Sequence, residues 1–337
     1  MKVLLTLRFN AQQLDWLRAV SPELEIVQKS VKEDWDRMDT GAFFDGDEQV
    51  LYCFMPPRDL SVCPKLRWVQ LHSAGTNHLT DHPILQSGIP ITTSSGIHAV
   101  PIGEFAITMM LALARRVPRM VRTQDGGAWP KERWRTFLGA EMRGKTLGVV
   151  GYGSIGREVA RIAKQGFAMR VLAMTRSGDK ADRGYAEPGV GDPEGKLPDA
   201  WFTPGQLRDL LAQSDFVLIA LPLTQATRQL IGEAELRAIK PTAFIVNIAR
   251  GEIMDQAALV RALKENWIAG AGLDVFAQEP LPSDSELWKL ENALIAPHVS
   301  SATPHYDDRA VALFAENLRR FLRGDELLNR MDAERGY

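Results

Sequence analysis

Cysteine is almost absent from this 337-residue chain. Cys53 and Cys63 form no C-x-x-C pair and are too few for a disulfide framework, which points to a reducing compartment. An excess of charge is lacking as well: 40 Lys plus Arg stand against 42 Asp plus Glu, a formal net charge of −2. That balance gives no general reason to expect nucleic acid or an anionic membrane surface as a partner. No apolar run is long enough to span a bilayer. The apolar start over residues 1–10 is short, is interrupted by Arg8 and has no small-residue cleavage site after it, so it does not read as a signal peptide. A cytoplasmic location is the expectation. Metal-ligand patterns are scarce too. His78 and His82 are spaced i, i+4, but no third ligand accompanies them and Pro83 opposes a long helix, so no metal site is expected.

Against these absences stands one stretch, Lys145-Thr-Leu-Gly-Val-Val-Gly-Tyr-Gly-Ser-Ile-Gly156. The apolar run 147–150 reads as a buried parallel strand, and the spacing then becomes helical at Ile155, Val159 and Ile162. Between them lies Gly151-x-Gly153-x-x-Gly156. The first glycine allows the tight turn, the second lets a pyrophosphate approach, and the third lets helix and strand pack closely. The phosphates rest on the open N–H groups at the helix start. With a second strand at 169–175, this context marks a dinucleotide site.

The length suits two domains, each with its own core. Strands are expected at 2–7, 24–27, 49–54, 66–71 and 89–92, and a helix at 11–20. Strands alternating with helices imply parallel α/β sheets, whose ligands gather beyond the strands' carboxyl ends. The loop at Ser73, Ala74 and Gly75 is therefore a candidate substrate site, with a solvated turn as the ordinary alternative. An apolar helix is expected over 101–116, with Met109 and Met110 as core filler. Residues 119–143 read as an irregular aromatic arm, a candidate for dimerisation. Residues 178–200 read as a surface insertion. Further strands are expected at 215–221, 243–248, 271–275 and 293–296, with helices at 255–264 and 303–323.

The second strand of the dinucleotide unit ends in Thr175, Arg176 and Ser177, where a site preferring NAD usually carries a carboxylate. Such a carboxylate repels a 2′-phosphate by roughly 4 kcal/mol for unit charges about 4 Å apart at an effective dielectric of about 20. Two hydroxyls and a guanidinium remove the repulsion and supply donors. The expected coenzyme is NADP(H), with NAD(H) as the second choice. Three later strand ends deliver Arg250, Glu279 and His298 to the same edge. An arginine fork suits the carboxylate and carbonyl of a 2-oxo acid. A histidine can protonate the alkoxide that hydride transfer creates, and a glutamate bonded to the imidazole orients it. Singly, each residue has an ordinary structural explanation; together they read as a catalytic set.

At these motifs the chain resembles the D-isomer-specific 2-hydroxyacid dehydrogenases, most strongly over 146–160, 221–232, 247–255, 270–282 and 297–303. The resemblance implies that Arg250 binds substrate, that His298 is the acid/base and that Glu279 is its partner. It implies a coenzyme lying against Ser154, Ile155, Leu221, Pro222, Thr227, Ile248 and Ser301, with Asp274 on the nicotinamide carboxamide side. The backbone of Ser73–Gly75 then receives the substrate carboxylate. The implied fold has two parallel α/β domains: a discontinuous flavodoxin-like substrate domain (1–98 plus 300–337) and an inserted Rossmann-type domain (99–299), hinged at two crossing helices and dimerising through the latter. The 175–177 ending looks like that of the NADPH-preferring glyoxylate and hydroxypyruvate reductases. An added regulatory domain of the phosphoglycerate dehydrogenase kind has no sequence to build it, and the glutamine of formate dehydrogenases is replaced by Glu279. The alternatives are a dehydrogenase for a bulkier 2-oxo acid and a dinucleotide-sensing binding protein of the same fold.

Overall fold

The computed structural model describes residues 1–30, 40–176 and 180–332. In chain order its strands and α-helices begin with β1 (Lys2–Leu5), α1 (Ala11–Arg18), β2 (Glu25–Gln28), β3 (Val50–Cys53), β4 (Trp68–Leu71) and β5 (Ile91–Thr92). Then come α2 (Ala99–Ala114), α3 (Val117–Asp125), α4 (Arg133–Thr136), β6 (Thr146–Val150), α5 (Ser154–Phe167), β7 (Arg170–Met174) and β8 (Ala200–Phe202). The chain continues through α6 (Leu207–Gln213), β9 (Phe216–Ile219), α7 (Glu233–Ala238), β10 (Phe244–Asn247), α8 (Gln256–Lys264), β11 (Gly270–Leu273), β12 (Ala293–Ile295) and α9 (Tyr306–Arg323).

These elements form two compact units. The first comprises Met1–Ile97, Arg183–Glu187 and Thr303–Tyr337. Its five-stranded sheet is parallel throughout, in the order β2-β1-β3-β4-β5, the flavodoxin-like arrangement. α1 starts cleanly because Asn10 and Gln13 form a reciprocal capping box. α9 lays Val311, Phe314 and Leu318, an i, i+3, i+7 stripe, on one face of the sheet with Tyr52 and Trp68. The opposite face buries Leu4, Leu51, Val69, Leu71 and Ile84.

The second unit comprises His98–Asp182 and Pro188–Ala302. Its seven-stranded parallel sheet runs β12-β11-β10-β9-β6-β7-β8, the doubly wound order with a seventh strand added at β12. One face buries Met110, Leu147, Val159 and Ala163, and the other Leu172, Leu210, Leu259 and Leu263. Met109 and Met110 are core residues, as expected. α2 begins at Ala99, ahead of Pro101, since proline is tolerated in a first turn, where N–H groups lack helical partners.

The arm at 119–143 is less irregular than its composition suggests. α3 begins with Val117-Pro118, proline's fixed φ suiting a first turn, and α4 follows. α7 and β8 had no clear periodic signal, being short. The insertion is also more than a surface excursion. Its ends grip the second unit, where the buried Arg157 donates to the carbonyls of Asp192 (2.5 Å) and Lys180 (2.9 Å). Asp192 in turn accepts from the Tyr152 hydroxyl and from the Lys196 and Leu197 amides. Its middle, 183–187, belongs to the first unit, where the Tyr185 amide donates to Asn329 Oδ1 at 3.0 Å and Glu187 pairs with Arg309.

Phe314 is fully buried against Tyr52 and Trp68, with ring centroids 4.9 and 5.3 Å away. Phe314→Ala is expected to cost about 3–5 kcal/mol of stability, read from the urea midpoint of the first unit's transition.

Candidate active site

The dinucleotide half of the site grows out of β6. Gly151 has φ +108°, a conformation L side chains rarely adopt, and a Cβ there would press on the Ala220 carbonyl. A Cβ on Gly156 would overlap the Gly151 carbonyl oxygen and crowd Val149, so the third glycine sets the approach of α5 to the strand. Gly153 is different: its Cβ would meet nothing within 4 Å. The open side at Gly153, with the helix start at Ser154 and Ile155 beside it, fits a pyrophosphate on the N–H groups of α5. Thr175 is half-buried and Arg176 exposed just past β7, whereas Ser177 lies outside the described residues. Past β9, Leu221 is half-buried beside Gly151, and the Thr227 hydroxyl closes its loop by donating to the Pro222 carbonyl (2.7 Å) and accepting from the Thr224 amide (2.8 Å). Ile248 is buried in the core and Ser301 half-buried past the His298 turn.

Arg250 stands three residues beyond β10. Asn247 shapes that turn, its Oδ1 accepting from the Ala249 amide and its Nδ2 donating to the Arg250 carbonyl, each at 3.0 Å. Arg250 Nη1 donates to the Ala249 carbonyl (2.6 Å), which orients the half-buried guanidinium. Any side chain at Gly251 would collide with the backbone of Phe276, so the arginine turn lies directly against the loop that carries Glu279.

Glu279 and His298 meet: Glu279 Oε2 lies 2.7 Å from His298 Nδ1, while Oε1 accepts from the Phe276 amide at 2.9 Å. The carboxylate is thus fixed by one of its own loop's N–H groups and aims its second oxygen at the imidazole. With Nδ1 occupied, Nε2 is the ring nitrogen left to exchange a proton with a ligand. His298 has φ +53° and is held there by Asp274, whose carbonyl accepts from the His298 amide and whose carboxylate accepts from the Val299 (2.8 Å) and Ser300 (3.1 Å) amides. Asp274, expected beside the nicotinamide carboxamide, is fully buried in this anchoring role.

In the first unit, Ser73, Ala74 and Gly75 form a turn immediately after β4. Two of its carbonyls are occupied: Ser73 O accepts from the Ser94 amide (2.9 Å) and Gly75 O from the Ser73 hydroxyl (2.8 Å). Among the described residues, none of the three amide N–H groups of this turn donates to a protein acceptor. Half-buried N–H groups without partners, on successive residues, suit a carboxylate. His78 and His82 do not share a helix face. They sit in separate 3-10 turns, with Nε2 near the carbonyls of Phe54 (3.0 Å) and Pro56 (3.2 Å). Burial pushes the His78 imidazole below its ordinary range. The one cluster of three acidic side chains among the described residues, Asp45, Asp47 and Glu48, is bridged by Lys2, with Lys29 also on Asp45.

The sequence pointed to Arg250, Glu279 and His298, but not to Asn247 as the shaper of the arginine turn or to Arg157 and Asp192 as the lock on the insertion. Asn247 lay within the motif 247–255 without a role. Arg157 follows the third glycine directly, on a helix face that composition alone does not show to be covered.

A doubly wound dinucleotide unit with arginine, glutamate and histidine at three strand ends defines a nicotinamide-dependent oxidoreductase. Residues 107–300 match the family described as D-isomer specific 2-hydroxyacid dehydrogenase, NAD binding domain. A glyoxylate reductase of Korarchaeum cryptofilum is 42% identical over 264 residues, covering 78% of this chain and 75% of that protein. One from Thermococcus gammatolerans is 40% identical, with coverage of 78% and 75%. A D-isomer specific 2-hydroxyacid dehydrogenase from Xanthobacter autotrophicus Py2, solved in complex with NADPH and MES, matches with TM-score 0.77 at 28% identity, covering 100% of this chain and 99% of that one. The chain belongs to the D-isomer specific 2-hydroxyacid dehydrogenases. It is an NAD(P)-dependent oxidoreductase acting on a CH–OH group and, in the reverse direction, a 2-oxo acid reductase.

The glycines separate structural from ligand roles. Gly153→Ala is expected to leave the melting temperature unchanged while weakening coenzyme binding on the order of tenfold, by titration of intrinsic fluorescence. Gly156→Val is expected to cost about 1–3 kcal/mol of stability through overpacking, read by denaturation.

Proposed function

We propose that this enzyme reduces a small 2-oxo acid of the glyoxylate or hydroxypyruvate type to the D-2-hydroxy acid, with NADPH as the preferred reductant. The observation that carries the reading is the 2.7 Å Glu279–His298 contact, with the other carboxylate oxygen anchored on the Phe276 amide. A bound nicotinamide dinucleotide supplies the hydride that the carbonyl carbon accepts. Arg250 pairs its guanidinium with the substrate's carboxylate and draws charge onto the carbonyl oxygen. His298 delivers a proton from Nε2 to that oxygen, and Glu279 keeps the imidazole turned with Nδ1 away from the substrate. Asp274 contributes by holding the turn that presents His298. The unpartnered amides of Ser73, Ala74 and Gly75 receive the carboxylate.

The NADPH preference is supported by Thr175 and Arg176, which put a hydroxyl and a guanidinium where a carboxylate would repel a 2′-phosphate. Relatives named as glyoxylate reductases support the small substrate. Trp129 and Trp134, 84% and 82% exposed on the arm, support a homodimer. A cytoplasmic location fits the two free thiols. No helix among the described residues is long and apolar enough to cross a membrane.

The deciding experiment follows NADPH and NADH absorbance separately with glyoxylate, hydroxypyruvate, pyruvate and phenylpyruvate. Fast NADPH loss with the first two is the expected result. Faster turnover of phenylpyruvate would move the assignment to bulkier acids, and tight coenzyme binding without turnover of any acid would make the protein a sensor. His298→Ala is expected to lower kcat on the order of 10²-fold or more with coenzyme Kd retained. Arg176→Ala is expected to weaken NADPH far more than NADH, and equal losses would sink the phosphate assignment.

A further inference from the structure

The turn that follows β4 has its backbone polarity set from outside. A peptide unit is planar and trans, so its carbonyl and the next residue's N–H point in opposite directions. Whatever captures the His72 carbonyl therefore aims the Ser73 N–H, and whatever captures the Ser73 carbonyl aims the Ala74 N–H. The second capture is made by the Ser94 amide at 2.9 Å. The first is made by a side chain distant in sequence: the Tyr306 hydroxyl, at the start of α9, donates to the His72 carbonyl at 2.9 Å.

Tyr306 is built to hold that position. Its ring lies against the His72 imidazole with centroids 4.7 Å apart and planes tilted by 44°. The imidazole is held on its other side by β3, where its Nδ1 lies 2.7 Å from the hydroxyl of the fully buried Tyr52. The His72 amide donates to the Cys53 carbonyl at 2.8 Å, which ties the residue to β3 through its backbone as well. Burial raises the Tyr306 phenol far above its ordinary range, so the hydroxyl stays a donor. Behind Tyr306 lies a small apolar cluster of Ile97, Ala310, Leu313 and Leu328, completed by Tyr185 from the insertion. The same support reaches the Ser94 side. Asn329, which receives the Tyr185 amide, donates to the carbonyls of Thr93 (3.2 Å) and Ser95 (2.7 Å), the residues flanking Ser94.

We propose that Tyr306 is a positioning residue for substrate: through the His72 carbonyl it turns the Ser73 N–H toward the carboxylate of the 2-oxo acid, with Tyr185 of the insertion as its buttress. This rests on the reading that the Ser73–Gly75 amides receive that carboxylate. It gives the inserted segment 183–187 a purpose within the first unit, the support of an anion-binding turn. It also divides labour by kinetic parameter. Tyr306 touches neither coenzyme nor reacting atoms in this scheme, so its effect falls on substrate affinity.

The test is Tyr306→Phe, which removes one hydroxyl and keeps the ring. With glyoxylate and saturating NADPH, KM is expected to rise about five- to tenfold, the size of one lost hydrogen bond that orders a second. The kcat and the NADPH Kd are expected to stay near wild type, and the melting temperature to fall by no more than a few degrees. Ala74→Pro, which deletes an amide of the turn itself, is measured in parallel. A raised KM in Ala74→Pro with an unchanged KM in Tyr306→Phe overturns the positioning role and leaves the turn as the carboxylate site. An unchanged KM in both removes the turn as that site, and the inference with it. Should Ala74→Pro not fold, the ratio of kcat/KM for glyoxylate to that for glyoxylamide, whose neutral amide replaces the carboxylate, decides. A ratio that falls in Tyr306→Phe supports the role, and an unchanged ratio overturns it.

Discussion

The side chain of Asp274 is fully buried at the end of β11, and both of its oxygens accept from the backbone of the turn that follows β12, at Val299 and Ser300. A buried carboxylate is costly without such donors, and the amides in turn are left orphaned if the carboxylate goes. The two strands are neighbours in the sheet, so this contact joins adjacent strand ends into one rigid edge. His298 takes its left-handed backbone on that edge, its own amide bonded to the Asp274 carbonyl. The imidazole consequently arrives beside Glu279. Arg250, Glu279 and His298 come from the loops after β10, β11 and β12 respectively, three consecutive neighbours in the parallel order. Parallel pairing puts all their carboxyl ends on one side, and this is why residues 48 positions apart in sequence share a site.

The glycine fingerprint was legible because its constraints are local. The spacing of Gly151, Gly153 and Gly156 is set within one strand, turn and helix that follow one another directly, Gly156 against Gly151 and Val149, although Gly151 also abuts the Ala220 carbonyl past β9 and Gly153 faces open space. The candidate catalytic triplet was legible for a related reason: each member sits a fixed few residues beyond a strand that the apolar pattern already revealed. The insertion was not. Arg157 is covered by residues 180, 182 and 192, and nothing in its helical spacing distinguishes a covered arginine from a solvated one. The resemblance placed Asp274 on the nicotinamide side, but its bonds to the amides of a turn 25 residues later left no sign in the sequence. Tyr306 was invisible for the same reason, since its partner carbonyl lies 234 residues away. Backbone carbonyls leave no mark in a sequence.

Two candidate anion sites in this chain present open main-chain N–H groups: the start of α5 and the turn after β4. Such a site works only where the carbonyls are turned away, because an N–H array with an interposed carbonyl oxygen loses its sign. At α5 the helix does this by its own geometry. At the turn no regular element is present, and the carbonyls of Ser73, Gly75 and His72 are taken up one at a time by Ser94, Ser73 and Tyr306. On the proposed reading the amides meet the carboxylate that every 2-oxo acid shares, with the Ser73 hydroxyl serving only to hold the Gly75 carbonyl. On that reading, discrimination among those acids falls to side chains outside the turn. A chain read this way can change its substrate by altering those side chains while the turn after β4 and the His298 edge stay as they are.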